Sequence, residues 1–426
     1  MSDETFDISV KEAEALGARL SEAFNPRAAQ ADVLTRVPEP VQWELDGGKA
    51  WVWRVPGNKT LTRPVIIADG FSGGASNLAE WLPLWQESEA EGVHYWGTQL
   101  HEAGHDVIVL GYASRNAPIR ANANVAIECI RKAAAERAGN EPLVVGGLSM
   151  GGLVTRYALA LMERQQINHQ VGTYFSYDSP HQGAWIPISL QCFAHFLSGL
   201  ADLITDEEKK QQMKGLQGLI NSDAARELLW KHTETHIGAG PTFHADPKRA
   251  EFVAALAELG SFPQAPRLLG VANGRGDGQG LPVTAGDDNI VWQRDGVGPG
   301  ATLKVQNQGA EQVTAALQRV GLSQPITVRT SDIPALDGAP GGTLDSFHIA
   351  ALALQDAGYQ ATAAYPDVCF VPAASAVDLA DPSDPYTPVN TLDPSTSQLH
   401  EFKVAAQNER HTLLTDDLCT WLTERF

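Results

Sequence analysis

The feature that most constrains the fold is a Gly-Leu-Ser-Met-Gly sequence at residues 147–151, between an apolar run and a helical pattern. Residues 143–145 have the composition of a short buried strand, and residues 153–162 have helix-forming composition and spacing. A strand that passes into a helix through so short a turn exposes the serine at its apex in a strained conformation. We expect side chains at positions 147 and 151 to collide with the neighbouring strand and helix. These features favour a reactive serine at the turn, and the alternative is a glycine-rich turn with a purely structural role.

Further apolar runs share the character of buried strands and end in polar or glycine-rich segments, at residues 64–68, 105–111, 173–177, 267–272 and 368–371. Helical patterns separate several of them, and such alternation predicts a parallel sheet built from right-handed crossovers. The predicted class is therefore α/β, with a mostly parallel central sheet flanked by helices. Residues 41–45 and 51–55 predict a hairpin.

The spacing of these runs divides the chain into a core and two insertions. The predicted parts are an N-terminal lead-in (1–36), the first part of the core (37–184), a helical cap or lid (185–262) and the second part of the core (263–426) with an irregular insertion (275–345). The cap is predicted as helical because residues 185–262 contain amphipathic patterns and no clear strand.

Charge and hydropathy exclude some classes of protein. The formal net charge of −20 over 426 residues argues against binding nucleic acid or anionic lipid surfaces, and it is compatible with neutral substrates. No apolar stretch reaches the roughly 18 residues of a membrane span. The acidic first residues lack the pattern of a secretory signal, so a cytoplasmic protein is the default expectation, with signal-independent export left open. Oligomeric state is not predicted.

A serine becomes a nucleophile only when a base accepts its proton and a third group orients that base. Ser149 is the candidate nucleophile. Among the twelve histidines, His411 is the candidate base, because it follows a polar loop and precedes an amphipathic helix at the end of the chain. A histidine on the surface that caps this helix is the structural alternative.

Several aspartates are candidates for the acid that orients His411. Asp178 is preferred because it ends the strand that follows the serine segment. Asp367, immediately before the apolar run at 368–371, is the main rival, and Asp378 and Asp277 are weaker ones. The alternative role for Asp178 is structural, as a buried carboxylate that holds the following loop in place.

An oxyanion formed at the substrate needs preorganised hydrogen-bond donors. The backbone N–H of Met150, directly after the serine, is one candidate. The N–H of Phe71, in the loop after the run at 64–68, is the other. Asp69 lies two residues before Phe71, and we expect its carboxylate to turn away and bind neighbouring N–H groups.

With these residues identified, the chain resembles lipase/esterase-type α/β-hydrolases, and more narrowly a group of bacterial hydrolases. The motifs that carry the resemblance are Asp-Gly-Phe (69–71), Ser-Met-Gly-Gly-Leu-Val (149–154), Asp-Ser-Pro-His-Gln-Gly-Ala (178–184), Ala-Asn-Gly (272–274), Phe-Val-Pro-Ala-Ala-Ser-Ala (370–376) and Asn-Glu-Arg-His (408–411). The resemblance covers residues 65–426. It implies an α/β-hydrolase fold and a hydrolase active on carboxylic esters, and it fixes no substrate. Our leading hypothesis from the residues is a serine hydrolase that acts through an acyl-enzyme on a small-molecule ester or lipid-like substrate.

The same residues are compatible with other functions. An acyltransferase, a thioesterase or an amidase uses the same triad, and a non-catalytic binding protein with this fold is a more distant rival. The proposed chemistry requires no cofactor and no metal. Structural calcium in the Asp-rich loops at 275–290 and 378–393 is left open.

Overall fold

A computed structural model describes most of the chain from residue 39 to the C-terminus. The described residues are 39–85, 95–201, 207–233, 243, 245–293, 300–318, 325–356, 359–379 and 384–426. The predicted lead-in at 1–36 lies outside them.

An eight-stranded sheet forms the centre of the molecule. Its strands are β1 (Val41–Leu45), β2 (Gly48–Trp53), β3 (Pro64–Ala68), β4 (Asp106–Tyr112), β5 (Leu143–Leu148), β6 (Val171–Tyr177), β7 (Arg267–Arg275) and β14 (Glu401–Ala405). They lie side by side in the order β1-β2-β4-β3-β5-β6-β7-β14. Strand β2 runs antiparallel to both neighbours, and all pairs from β4 to β14 are parallel.

Both faces of this sheet are covered, which explains the continuous apolar runs in the sequence. Ile66 and Ile108 belong to one hydrophobic cluster, whereas Val65 and Ile67 belong to another. Because successive side chains of a strand point to opposite faces, one apolar run serves both clusters.

Helices supply the two covering layers. Helix α1 (Trp96–Glu102) precedes β4, α2 (Ile119–Glu136) follows it, α3 (Met150–Arg164) follows β5 and α10 (Asp416–Thr423) ends the chain. Helices α2 and α3 pack together on one face, and α1 and α10 pack together on the other. The strand order, the single antiparallel strand at β2 and these two helical layers make this an α/β-hydrolase fold.

Two segments interrupt the core between β6 and β14. The first contains α4 (Ile188–Ala201), α5 (Glu207–Ile220), α6 (Asp223–Leu228) and α7 (Pro247–Glu258). The second contains β8 (Asp288–Gln293), β9 (Gly300–Lys304), β10 (Gln312–Gln318) and β11 (Ile326–Thr330), which form an antiparallel sheet in the order β11-β10-β9-β8. The segment expected to be irregular therefore contains a regular sheet, and helix α4 packs against its strands β9 and β10.

A short antiparallel pair joins the second insertion to the core. Strand β12 (Gly341–Leu344) pairs with β13 (Val368–Pro372), and helices α8 (Ser346–Asp356) and α9 (Ala373–Ala376) flank the pair. Strand β12 contacts β7, so it lies against the end of the central sheet. Within the described ranges, no helix combines the length and the apolar character needed to cross a membrane.

Candidate active site

Ser149 occupies the sharp turn between β5 and α3, with φ 54° and ψ −126°. A non-glycine residue rarely adopts this conformation, and two glycines make it sterically possible. A Cβ at Gly147 would lie 2.4 Å from the carbonyl carbon of Gly151, and a Cβ at Gly151 would lie 2.3 Å from the carbonyl oxygen of Ala68. The expected collisions with the following helix and the neighbouring strand are thus present.

Asp178 lies beside the serine turn because the two residues follow neighbouring parallel strands. Leu148 of β5 pairs with Tyr177 of β6, and the N–H of Ser149 donates to the carbonyl of Tyr177 at 2.9 Å. Asp178 is fully buried and has φ 47°. Its Oδ1 accepts from the N–H of Asn273 at 3.0 Å, which leaves Oδ2 for a second partner.

That second partner is His411, in the loop between β14 and α10. The distance from His411 Nδ1 to Asp178 Oδ2 is 2.6 Å, and both side chains are buried. An ionised carboxylate only accepts hydrogen bonds, so Nδ1 carries the proton and Nε2 has the free lone pair. The ring of Phe370 packs edge-on against the imidazole, with the two centroids 4.9 Å apart.

The loop that carries His411 is held through its backbone. The N–H of His411 donates to the carbonyl of Thr343 at 2.8 Å, and the N–H of Thr343 donates to the carbonyl of Glu409 at 2.9 Å. The hydroxyl of Tyr177 donates to the carbonyl of Leu413 at 2.7 Å. Strands β12 and β6 therefore fix the loop on both sides of the histidine.

Gly342 of β12 belongs to this site, although the sequence analysis did not identify it. A Cβ at this position would lie 1.9 Å from Asp178 Oδ2, so any side chain would displace the carboxylate. The pair Gly341-Gly342 was the available signal, but 39 glycines are present and nothing local distinguishes this one.

The remaining nitrogen of the imidazole is Nε2. His411 Nε2 is buried and has no hydrogen-bond partner among the residues that the structure describes, so no hydrogen bond joins it to Ser149 Oγ here. Hydrogen bonds between a catalytic serine and its base are often long before substrate binds.

The loop after β3 runs along the serine. A Cβ at Gly70 would lie 3.2 Å from the Cβ of Ser149, which shows how closely the two backbones approach. Phe71 follows directly. For the N–H groups of Phe71 and Met150, no acceptor is found within the described part of the chain.

Asp69 has its carboxylate turned to its own loop, as expected. Oδ1 accepts from the N–H of Gly70 at 2.7 Å and Oδ2 accepts from the hydroxyl of Ser76 at 2.7 Å. Arg115 lies 3.7 Å from Asp69 Oδ2 and donates to Glu80 at 2.5 Å, so the negative charge of Asp69 has a buried counterion.

The other candidate acids have different surroundings. The side chain of Asp367, directly before β13, is solvent-exposed, and partial desolvation and then the negative charge of Asp345 raise its pKa. Asp378 accepts from Gln182 Nε2 at 2.6 Å, and the exposed Asp277 pairs with Arg275. None of these three carboxylates is hydrogen-bonded to His411 in the described residues.

The apolar residues at the start of the first insertion are buried together. Within the hydrophobic cluster that α4 shares with strands β8 to β10 are Trp185, Ile186, Leu190, Phe193, Phe196 and Leu197. Packing between the two insertions therefore explains this apolar pattern without a substrate.

A metal site is not indicated by the side chains that the structure describes. No group of three or more His, Cys, Asp or Glu residues among them is arranged to hold an ion. This includes the described residues of the Asp-rich loops at 275–290 and 378–393.

Comparison with known proteins gives only distant similarities. No family model and no curated protein matches the sequence. Solved structures that are similar to this chain include esterases and lipases. A lipase of Bacillus licheniformis in its mature form is 12% identical, with a TM-score of 0.32, and the match covers 53% of this chain and 72% of that one.

Two further examples are equally distant. Brefeldin A esterase, a bacterial homologue of human hormone-sensitive lipase, is 15% identical with a TM-score of 0.30, over 62% of this chain and 79% of that one. A fungal esterase from Rhizomucor miehei is 16% identical with a TM-score of 0.30, over 64% and 74%.

Proposed function

We propose that the protein is a serine hydrolase that cleaves carboxylic esters through Ser149, His411 and Asp178. The observation that carries the proposal is the 2.6 Å contact between His411 Nδ1 and Asp178 Oδ2. This contact leaves Nε2 as the basic nitrogen, and it is made by an aspartate that lies beside the strained serine. A strained serine, an oriented imidazole and a buried carboxylate are the three parts that acyl transfer requires.

The reaction begins when substrate brings its carbonyl carbon to Ser149 Oγ. His411 Nε2 accepts the hydroxyl proton as the oxygen attacks, and Asp178 stabilises the imidazolium that forms. The tetrahedral intermediate collapses when His411 returns the proton to the leaving alkoxide, which leaves as an alcohol. Water then attacks the acyl-enzyme with His411 again as the base, and the carboxylic acid and free Ser149 result.

The negative charge on the tetrahedral intermediate requires donors that are in place before the reaction. We assign this role to the N–H groups of Phe71 and Met150. Met150 is the first residue of helix α3, so the positive end of the helix dipole acts at the same point. The loss of one such donor usually costs about 10²–10³ in kcat.

The test compares the wild-type protein with Ser149→Ala on p-nitrophenyl esters of graded acyl length. We expect turnover to disappear while the circular-dichroism spectrum and the unfolding transition are retained. A fluorophosphonate probe should label the wild type and not the variant. Undiminished turnover by Ser149→Ala would refute the proposal. Added alcohols and thiols, assayed as acyl acceptors against water, would separate a hydrolase from an acyltransferase.

A further inference from the structure

The turn at residues 178–184 carries Asp178, and backbone hydrogen bonds to other elements hold only its two ends. The N–H of Asp178 donates to the carbonyl of Val271 at 2.7 Å, and the N–H of Ala184 donates to the carbonyl of Leu228 at 2.9 Å. The internal backbone bonds of the turn run from the N–H of His181 to the carbonyl of Ser179 and from the N–H of Gly183 to the carbonyl of Pro180. Both are local, so they shape the turn without fixing its position relative to helix α3. Among the described residues no backbone hydrogen bond joins the turn to helix α3, so side chains make the contacts between the middle of the turn and this helix.

His181 supplies the first connection, and its tautomer follows from its partners. Arg156 Nη1 lies 3.1 Å from His181 Nδ1, and a guanidinium can only donate, so Nδ1 is the acceptor. The ring proton is then on Nε2, which donates to Ser176 Oγ at 3.0 Å. Burial, and then the positive charge of Arg156, lower the pKa of His181 well below its usual value, which keeps the ring in this neutral form.

Arg156, the partner of His181, is itself held in place on helix α3. It lies on helix α3, which starts immediately after Ser149, and only 5% of its surface is exposed. Its Nε donates to the carbonyl of Ser261 at 2.7 Å, and its guanidinium lies 3.5 Å from the ring centroid of Phe262.

A second connection runs through Asp378, which contacts both Arg156 and the turn. Asp378 Oδ1 lies 3.7 Å from Arg156 Nη1 and accepts from Gln182 Nε2 at 2.6 Å. The N–H of Gln182 in turn donates to Ser375 Oγ at 3.1 Å. The turn is thus attached to helix α3 and to residues 375–378 by side chains that are almost all buried.

A buried guanidinium is costly, and a buried ion pair such as that of Arg156 with Asp378 can often be replaced as a whole by apolar residues of similar volume without loss of stability. Stability alone therefore does not explain why helix α3 carries Arg156. Its contacts do, because they join the helix that begins at the nucleophile to the turn that begins at the acid.

We propose that Arg156 and His181 are positioning residues that hold the Asp178 turn against helix α3 and so keep Asp178 in contact with His411. This inference rests on the proposed function of Ser149, His411 and Asp178. Neither residue is assigned contact with substrate. Displacement of the turn should weaken the orientation of His411 and leave substrate binding largely unchanged.

The experiment measures kcat, KM and the pH profile of kcat/KM for Arg156→Met, His181→Leu and His181→Asn. Arg156→Met and His181→Leu should lower kcat about 10–100-fold, with KM within about twofold of wild type. The acid limb of the profile should move to lower pH, because the imidazolium of His411 loses a well-aligned carboxylate. His181→Asn should recover most of the activity, because its Oδ1 can accept from Arg156 in place of Nδ1.

Glu163→Gln is the matched control. Glu163 lies at the other end of helix α3 and accepts from the N–H groups of Gln264 and Ala265, away from the turn. This variant should keep the kcat and the acid limb of the wild type.

Two results would overturn the inference: folded Arg156→Met with wild-type kcat and acid limb, or His181→Asn as impaired as His181→Leu. Thermal unfolding followed by circular dichroism establishes which variants fold. If Arg156→Met does not fold, the comparison of His181→Asn with His181→Leu tests the inference. Failure of the proposed function is a separate outcome, because Ser149→Ala would then retain turnover.

Discussion

Gly342 is the residue whose substitution should report most directly on the acid. Gly342→Ala would place a Cβ 1.9 Å from Asp178 Oδ2, so the carboxylate must move away from His411. A displacement of about 1 Å in such a site can cost about 100-fold in rate, and we expect a loss of that order in kcat/KM. Gly218→Ala is the control, because a Cβ there meets nothing within 4 Å. Equal ester turnover by both variants would contradict this role for Gly342.

The choice between the two candidate acids is a second prediction for single residues. Asp178→Asn should lower kcat by about 10⁴, because an amide at this position favours the wrong tautomer of His411. Asp367→Asn should keep wild-type activity, since Asp367 lies on the surface and is not hydrogen-bonded to His411. Steady-state kinetics on one p-nitrophenyl ester is sufficient. The opposite ranking would assign the role to Asp367.

The sequence predicts a serine turn because its determinants are local: glycines on either side of Ser149, a strand before it and a helix after it. The identity of the acid, in contrast, is not determined by local sequence. Whether Asp178 or Asp367 meets His411 depends on how β6 and β13 lie relative to a loop more than 40 residues later in the chain. Spacing along the chain does not contain that information, and for the same reason Gly342 was not found.

At the scale of elements, the two insertions stabilise each other. Phe193 of helix α4 is fully buried and packs edge-on against Trp292 of strand β8, with the ring centroids 6.0 Å apart.

Amphipathic patterns were sufficient to predict helices in the first insertion. The pairing of β8 to β11 was not predictable, because these strands are only five to seven residues long and the sequence between them contains several glycines.

Phe193→Ala should therefore destabilise the packing between α4 and the β8–β11 sheet. Truncation of a buried phenylalanine costs about 3–5 kcal/mol, so we expect the urea midpoint of unfolding to fall clearly. Val291→Ala is the control, since Val291 is adjacent to Trp292 on the same strand but 45% exposed. Equal midpoints for the two variants would mean that the contact between α4 and β8 contributes little to stability.

At the scale of the whole molecule, one buried carboxylate links the first insertion to the core. Glu227 of helix α6 is 3% exposed, and its Oε2 accepts from the N–H of Ile119, the first residue of helix α2, at 2.6 Å. Burial raises the pKa of Glu227 from 4.5 to about 7, against the opposing effects of this hydrogen bond and of Arg120 and Lys248. Asp223 on the same helix raises it further.

The sign of the resulting pH dependence follows from proton counts. Between pH 4.5 and about 7 the folded protein holds a proton on Glu227 that the unfolded chain has released, so this contribution to stability is present below pH 4.5 and lost as pH rises through 7. Glu227→Gln keeps an acceptor for Ile119 without a charge. As the pH rises from 5 to 8, the free energy of unfolding of Glu227→Gln should increase by up to about 3 kcal/mol relative to that of the wild type. Urea unfolding at both pH values measures this difference. If the difference in stability between variant and wild type does not change with pH, Glu227 titrates normally. The contact between α6 and α2 would then not lower the free energy of unfolding at neutral pH.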